Sequence, residues 1–301
     1  MPTFVFVLVK ADFAMNRAIF KLCSGYDMPL FGLGTCQIKE SDIIYKVIDE
    51  ALRLGYRLID TASSYRNEQH IGNALKDLLP KHGLKRSDIF ITSKLAPKEQ
   101  GTEPAYAACM QSLQRLQTDY LDLYLIHWPG KQKLKPDDCG NAEARRQSWL
   151  SCERLHKEGK VRSIGVSNYT VKHLDEMLGY ATTCPAVLQV EYHPYLVQKD
   201  LLSWCNLHNT HLQAYSSLGR THLLSDKDVI DVAKRLERKP SQVLLRWGLQ
   251  QNIGVIPKTQ NLERVAENAA LWDFELTTKD MERLSQLHRN TKFCWDPSGI
   301  A

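Results

Sequence analysis

The sequence predicts an α/β fold, a (β/α)8 TIM barrel, on three observations. Short apolar segments rich in β-branched residues alternate with helical patterns eight times along the 301-residue chain. These segments are continuous apolar runs rather than alternating ones, which is typical of parallel strands with both faces covered. No third glycine follows Gly32 and Gly34 at the first strand, so the dinucleotide fingerprint of an open doubly wound sheet is absent. A closed parallel sheet is therefore favoured over an open one.

A hairpin at residues 19–29, with Ser24 and Gly25 at its turn, is predicted to precede the barrel. The predicted strands are residues 31–35, 56–62, 89–95, 120–128, 161–167, 187–193, 211–217 and 253–259. The predicted helices are residues 42–54, 67–79, 104–116, 145–157, 171–179, 199–208, 228–249 and 262–271, with an extra helix at 278–288 before an irregular C-terminal tail. No linker or low-complexity segment divides the chain. We therefore expect one barrel domain, residues 19–301, after an N-terminal tail, residues 1–18.

The composition excludes several classes of protein. The difference of 39 basic and 34 acidic residues gives a net charge of +5, spread without long runs, so neither a nucleic acid nor a membrane is expected as a partner. The eight cysteines include no CxxC pair, which indicates free thiols in a reducing compartment and no metal site. The apolar segment TFVFVLV lacks a basic region before it and a cleavage site after it. A cytoplasmic protein is the expectation.

Four residues with proton-transfer chemistry follow three consecutive predicted strands. Asp60 and Tyr65 lie in YRLIDTASSYRNE, Lys94 in IFITSKLA and His127 in YLDLYLIHWPG. Catalytic groups of such barrels lie at the carboxyl ends of the strands, so the four are expected to meet. A nearby ammonium is expected to lower the pKa of the phenol, while the carboxylate holds the ammonium and the imidazole donates to a substrate oxygen. This set suits carbonyl reduction; the alternative is a structural ion pair beside an unrelated tyrosine and a packed histidine.

The segment IPKTQNLERVAEN follows the eighth predicted strand and opens a helix. Barrels often bind phosphate after their last strands at a helix N-terminus, and Lys258, Thr259 and Arg264 supply two cations and a hydroxyl there. Taken alone, the segment fits an ordinary capped helix start better than a phosphate site.

Polar and aromatic residues also end the fifth, sixth and seventh predicted strands. Ser167, Asn168 and Gln189 can pair with a carboxamide, and Tyr215 offers a flat face to an aromatic ring. Each has a structural alternative as a strand terminator or packing residue. Their occurrence on one rim favours a binding role.

Three segments resemble signature stretches of the aldo-keto reductases: GYRLIDTASSYRNEQHIGNAL, HKEGKVRSIGVSNYTVKHL and VIPKTQNLERVAEN. The resemblance runs from about residue 20 to the end and is greatest to shorter-loop members similar to glyoxal reductase and diketogluconate reductase. It implies a (β/α)8 barrel that binds NADPH, Tyr65 as proton donor, Lys94 and Asp60 as its tuning pair, and His127 as the group that orients the carbonyl. The cofactor contacts it implies are Ser167, Asn168, Gln189, Tyr215, Ser216, Leu218, Lys258, Thr259, Arg264, Glu267 and Asn268.

The chain departs from this family where the substrate pocket is expected. Many members have tryptophans at the positions of Cys36 and Ala96, so the pocket is expected to be wider or more polar on that side. Trp128, Phe293 and Trp295 remain as candidate pocket aromatics, although Trp128 suits a structural role equally well.

The leading hypothesis is an NADPH-dependent reductase of small aldehydes and ketones, such as dicarbonyls and sugar-derived or aromatic aldehydes. The alternative is a non-catalytic barrel with a binding or structural role, because lens crystallins and potassium-channel β subunits resemble the same family. A monomer is expected, since members of this family are often monomeric.

Overall fold

A computed structural model describes residues 18–301. The predicted hairpin is present: β1 (Ile19–Lys21) pairs antiparallel with β2 (Asp27–Pro29). Its turn is closed by hydrogen bonds between Leu22 and Tyr26 and between Gly25 and Leu22. Gly25 has a φ of +87°, a conformation that glycine adopts without steric cost. The predicted N-terminal tail lies outside the described residues, apart from its last residue.

Eight parallel strands form the sheet that follows. They are β3 (Leu33–Gly34), β4 (Leu58–Asp60), β5 (Phe90–Leu95), β6 (Leu121–Ile126), β7 (Val161–Ser167), β8 (Val187–Glu191), β9 (His211–Tyr215) and β10 (Gly254–Val255). Each strand pairs with the next one along the chain, from β3 to β10.

The sheet closes where its first strand meets its last. Parallel bridges join Phe31 to Val255 and Gly34 to Lys258. A Cβ atom at Gly34 would lie 2.6 Å from the Ile256 carbonyl oxygen, so this close approach requires glycine. The predicted (β/α)8 barrel is confirmed.

Helices follow the barrel strands, as predicted. They are α1 (Ser41–Arg53), α2 (Glu68–Lys81), α3 (Thr102–Leu116), α4 (Gly140–Lys157), α5 (Val171–Leu178), α6 (Lys199–Leu207), α7 (Lys227–Arg235), α8 (Pro240–Leu249), α9 (Leu262–Ala269) and α10 (Thr278–Ser285). Their apolar faces pack on the outside of the sheet in one large core cluster. No helix within residues 18–301 is both long enough and apolar enough to cross a membrane.

One predicted helix and two predicted strands differ most from the structure. The single helix expected at 228–249 is two helices, α7 and α8, because Glu237 has a φ of +53° and Pro240 cannot donate a backbone hydrogen bond within a helix. The strands expected at 31–35 and 253–259 form ladders of only two residues each. Pro257 lacks an N–H group and contributes only its carbonyl, which accepts from Gly34.

Candidate active site

A buried ion pair links the ends of β4 and β5. The Lys94 ammonium lies 2.5 Å from a carboxylate oxygen of Asp60 and 2.8 Å from the Thr61 carbonyl. Asp60 is 2 % exposed and Lys94 is fully buried. Two charges removed from water in this way persist only when they are paired and hydrogen-bonded, as they are here.

The third hydrogen of the Lys94 ammonium is directed at Tyr65, whose phenol oxygen lies 3.5 Å away. Tyr65 ends a single turn of 3-10 helix, Ser63–Tyr65, that begins three residues after the end of β4. The next residue, Arg66, has a φ of +59° and turns the chain towards α2. The loop conformation thus places the phenol over the ion pair.

The expected lowering of the Tyr65 pKa is wrong for the protein alone. Burial and the negative charge of Asp60 raise the pKa of Tyr65 well above its ordinary value. The carboxylate lies closer to the ammonium than the phenol does, so Asp60 compensates much of the Lys94 charge. Tyr65 therefore keeps its proton, which is the state that a proton donor requires.

His127 directly follows β6 and faces the same mouth. Its ring packs edge-on against Tyr65 with the ring centroids 5.6 Å apart. Its Nδ1 lies 3.3 Å from the Ser64 hydroxyl, which leaves Nε2 as the N–H donor when Ser64 donates. Burial and the nearby Lys94 charge lower the pKa of His127 to about 3, so the imidazole is neutral at ordinary pH.

A network of amides and hydroxyls adjoins the ion pair. The Gln189 amide nitrogen donates to the second carboxylate oxygen of Asp60 at 2.8 Å and to the side-chain oxygen of Gln213 at 2.7 Å. Asn168 donates to the His127 carbonyl at 2.9 Å and to the Ser167 hydroxyl at 3.0 Å, and it accepts from the Tyr215 hydroxyl at 2.7 Å. The structure therefore brings the predicted carboxamide-binding residues and the four proton-transfer residues into one connected group.

The loop after β9 carries two further predicted contacts, Ser216 and Leu218. Ser216 has a φ of +52°, and its hydroxyl lies 3.5 Å from the Cys294 thiol. Leu218 is partly buried against the core. This loop runs on into a 3-10 segment, Gly219–Ser225, in which Arg220 and Thr221 also have positive φ.

The predicted phosphate-binding residues lie at the end of β10 and the start of α9. Asn261 caps α9 by accepting from the Arg264 backbone N–H at 3.2 Å. Lys258 and Arg264 are exposed, and neither side chain forms an ion pair or hydrogen bond with any residue of 18–301. Thr259 accepts from the Asn261 backbone through its hydroxyl. The two cations are thus available to a ligand.

Glu267 and Asn268 lie in the last turn of α9. The Glu267 carboxylate accepts from the Ser241 hydroxyl and so is directed towards α8. Asn268 is 4 % exposed, and its side-chain oxygen has no partner among the described residues. A buried unsatisfied acceptor is rare in folded proteins and is consistent with a ligand donor at this position.

The four predicted pocket residues make different contacts. Trp128 and Trp295 pack edge to face with centroids 6.1 Å apart, and the Cys36 thiol adjoins the Tyr65 hydroxyl. Phe293 instead stacks on His222 at 4.5 Å. A cavity of about 550 Å³ is lined by Asn168, Tyr215 and Trp295 among other residues, but Cys36, Trp128 and Phe293 do not line it.

Two polar residues near the site were not predicted from the sequence. Gln213, in the interior of β9, accepts from Gln189, and its own amide nitrogen is buried without a partner among the described residues. Glu191, at the end of β8, is a buried carboxylate that binds the C-terminal segment. Both are polar residues within apolar strands, which is the signal that would have found them. No group of three or more His, Cys, Asp or Glu residues suited to a metal occurs within the described part of the chain.

Comparison with known proteins decides the family. Residues 30–289 match the model of the Aldo/keto reductase family. The chain belongs to the aldo/keto reductase family.

Individual aldo/keto reductases are similar along almost the whole chain. Glyoxal reductase of Bacillus subtilis is 41% identical over 93% of this chain and 96% of its own length. Aldose reductase C of Dictyostelium discoideum is 37% identical over 93% and 92%. The structure of the aldose reductase from Schistosoma japonicum superposes with a TM-score of 0.84, at 35% identity over 92% of this chain and 94% of that one. These similarities support carbonyl reduction with a nicotinamide cofactor.

Proposed function

We propose that this protein is an NADPH-dependent reductase of small aldehydes and ketones, with Tyr65 as the proton donor. The observation that carries the proposal is the buried Asp60–Lys94 pair directed at a protonated Tyr65 beside a neutral His127. Reduction of a carbonyl needs a hydride at carbon and a proton at oxygen. These residues supply the proton, and the cofactor, when bound, supplies the hydride.

The residues around α9 fit the phosphate end of NADPH. The side chains of Lys258 and Arg264 have no competing ion pair within residues 18–301, and the Thr259 hydroxyl lies between them in sequence. The N-terminus of α9 adds the partial positive charge of its free backbone N–H groups. We assign these residues to the 2′-phosphate, with Glu267 and the unsatisfied oxygen of Asn268 near the adenine.

The network around β7, β8 and β9 fits the nicotinamide end. Ser167, Asn168 and Gln189 present hydroxyl and amide groups for the carboxamide, and the hydrogen bond from Tyr215 to Asn168 holds the tyrosine ring as a stacking face. Gln189 also binds Asp60, so the carboxamide site and the lysine pair share one side chain. Ser216 and Leu218 extend the same rim towards the phosphates.

The proton transfer follows from the chain's own geometry. A carbonyl oxygen held by the Tyr65 O–H and the His127 Nε2–H receives the phenol proton as negative charge develops on it. The resulting phenolate is stabilised by the Lys94 ammonium, whose remaining hydrogen already points at it. Because His127 is neutral, it acts as a hydrogen-bond donor and not as the acid.

The substrates we propose are small carbonyl compounds such as dicarbonyls and sugar-derived or aromatic aldehydes. Support comes from the similarity to glyoxal reductase and from the small Cys36 beside Tyr65, which narrows the pocket less than an aromatic ring would.

We also propose that the protein is a cytoplasmic monomer. Light scattering of the purified protein tests the monomeric state, and cell fractionation tests the location.

The proposal is tested by NADPH oxidation with a panel of small aldehydes and ketones. We expect turnover of several of them and much slower turnover with NADH. Tight NADPH binding without turnover of any carbonyl would contradict the enzymatic role and would favour a binding barrel.

A further inference from the structure

The C-terminal strap, residues 291–301, is fastened to the barrel by a buried carboxylate. Glu191 ends β8 and is 2 % exposed. Its oxygens accept the backbone N–H groups of Phe293 at 2.8 Å and Cys294 at 3.1 Å, and the His193 Nε2 lies 3.0 Å from one of them. Three donors therefore converge on one carboxylate.

This carboxylate is kept in its charged form. Burial raises the pKa of Glu191, but the hydrogen bonds from His193, Phe293 and Cys294 outweigh burial, and the net pKa lies below its ordinary value. Charge-assisted hydrogen bonds of this kind are stronger than neutral ones. The strap is consequently held at this point by interactions that depend on the negative charge.

The Phe293 ring joins the strap to the loop after β9, the cofactor loop, residues 216–225. The ring lies 4.5 Å from the His222 ring at an interplanar angle of 9°, and Arg220 donates to the Phe293 carbonyl at 3.3 Å. A Cβ atom on Gly219 would lie 3.1 Å from the Phe293 ring. Strap and cofactor loop are therefore in direct contact.

The cofactor loop needs such support because its backbone is strained. Arg220 and Thr221 have φ angles of +50° and +79°, which are unfavourable for residues with a Cβ atom, most of all for a β-branched one. Conformations of this kind persist only when the surroundings hold them. The Phe293 ring and carbonyl are part of those surroundings.

The other end of the strap is fastened independently. Arg145, fully buried in α4, donates to the Ala301 carbonyl at 2.6 Å. His173 accepts the Thr170 backbone N–H at Nδ1, so its Nε2 carries the hydrogen that it donates to the Ile300 carbonyl at 3.0 Å. Between the two fastenings Trp295 and Pro297 line part of the 550 Å³ cavity, and the Trp295 ring packs edge to face on Trp128.

We propose that Glu191 is a positioning residue that couples cofactor binding to the position of Trp295, a predicted substrate-pocket residue. It fixes Phe293, which supports the cofactor loop, and it fixes the start of the segment that carries Trp295. The inference rests on the proposed NADPH-dependent function for its kinetic consequence, whereas the fastening itself is independent of any ligand.

The test is a double-mutant cycle on NADPH binding with Glu191→Gln, Phe293→Ala and the double variant. We expect each single variant to weaken NADPH binding about tenfold and to raise KM for the carbonyl, with kcat changed less than about twofold. The double variant is expected to bind NADPH no more weakly than either single variant, because both remove the same link. Strictly additive effects, or an unchanged dissociation constant in Glu191→Gln, would overturn the coupling.

Hydrogen exchange of the strap amides without NADPH provides the second readout. Exchange at residues 293–296 is expected to accelerate in Glu191→Gln; unchanged exchange there would overturn the fastening. Asp122→Asn is the matched control, since Asp122 is a buried, ion-paired carboxylate in the first half of β6. It is expected to lower stability without altering strap exchange or NADPH affinity. If wild type binds no NADPH, the proposed function fails, but this exchange measurement still tests the fastening of the strap. If Glu191→Gln does not fold, exchange of the strap is measured in Phe293→Ala instead.

Discussion

The proposed proton-transfer end and the proposed phosphate end of the site differ in how far the protein completes them by itself. At the first, Asp60, Lys94 and Gln189 are buried, and the Asp60 carboxylate accepts from both of the other two side chains. At the second, Lys258 and Arg264 are exposed and form no ion pair within residues 18–301. Chemistry at the first end is preorganised by interactions that also stabilise the fold, whereas the second end depends on a ligand to supply the opposite charge. Substitutions should therefore affect stability at one end and mainly affinity at the other.

The largest effect is expected for Lys94→Met. It leaves the buried Asp60 carboxylate without its cation, and we expect a loss of about 3–5 kcal/mol in the free energy of unfolding together with loss of carbonyl reduction. Denaturant unfolding and NADPH oxidation measure the two effects. The double variant Asp60→Asn/Lys94→Met should regain part of the stability but no activity. A Lys94→Met protein as stable as wild type would contradict a structural contribution of the pair.

A smaller effect, confined to affinity, is expected for Arg264→Ala. Loss of a charged hydrogen bond to the 2′-phosphate should weaken NADPH binding about tenfold to a hundredfold and leave NADH binding within about twofold. Fluorescence titration with both cofactors measures this, and Arg146→Ala, on the exposed surface of α4, is the control. Equal weakening of both cofactors would exclude the assigned phosphate contact.

The meeting of the proton-transfer residues was predictable from the sequence, but the Tyr65 pKa was not. Strand β7 matches its predicted bounds, and the meeting of Asp60, Tyr65, Lys94 and His127 follows from barrel topology, because carboxyl ends of parallel strands share one rim. The direction of the Tyr65 pKa shift was not predictable, since it depends on how deeply the fold buries the phenol and on how near the Asp60 charge lies.

Two other features were not predicted: one is a long-range contact, and the other is a local helix break. The pairing of Glu191 with Phe293 joins positions about a hundred residues apart, and no local pattern specifies it. The break before Pro240 was readable, because proline inside a helical pattern ends or kinks the helix. The roles assigned to the individual site residues remain predictions.

A still smaller effect, on substrate specificity, is expected for Cys36→Trp, next to the proton-transfer end. The larger side chain beside Tyr65 should raise KM for bulky aromatic ketones about threefold to tenfold and change KM for the smallest aldehydes less than about twofold. Cys139→Trp at an exposed position is the control. Equal changes for large and small substrates would show that Cys36 does not line the pocket.

The smallest effect is expected for pH. His127, with a pKa of about 3, gains a charge only in strong acid, and Tyr65, with its raised pKa, loses its proton only in strong base. We therefore expect kcat for reduction to be nearly constant from about pH 5 to about pH 9. A limb with an apparent pKa of about 6 to 7 would show that the imidazole or the phenol titrates differently in the complex.

The role of Tyr65 as the proton donor is decided by measuring kcat of Tyr65→Phe at saturating NADPH and carbonyl substrate. We expect kcat to fall by about 10² to 10⁴, with the NADPH dissociation constant and the unfolding midpoint close to those of wild type. Turnover within about threefold of wild type would contradict it, because the remaining groups would then suffice to protonate the substrate.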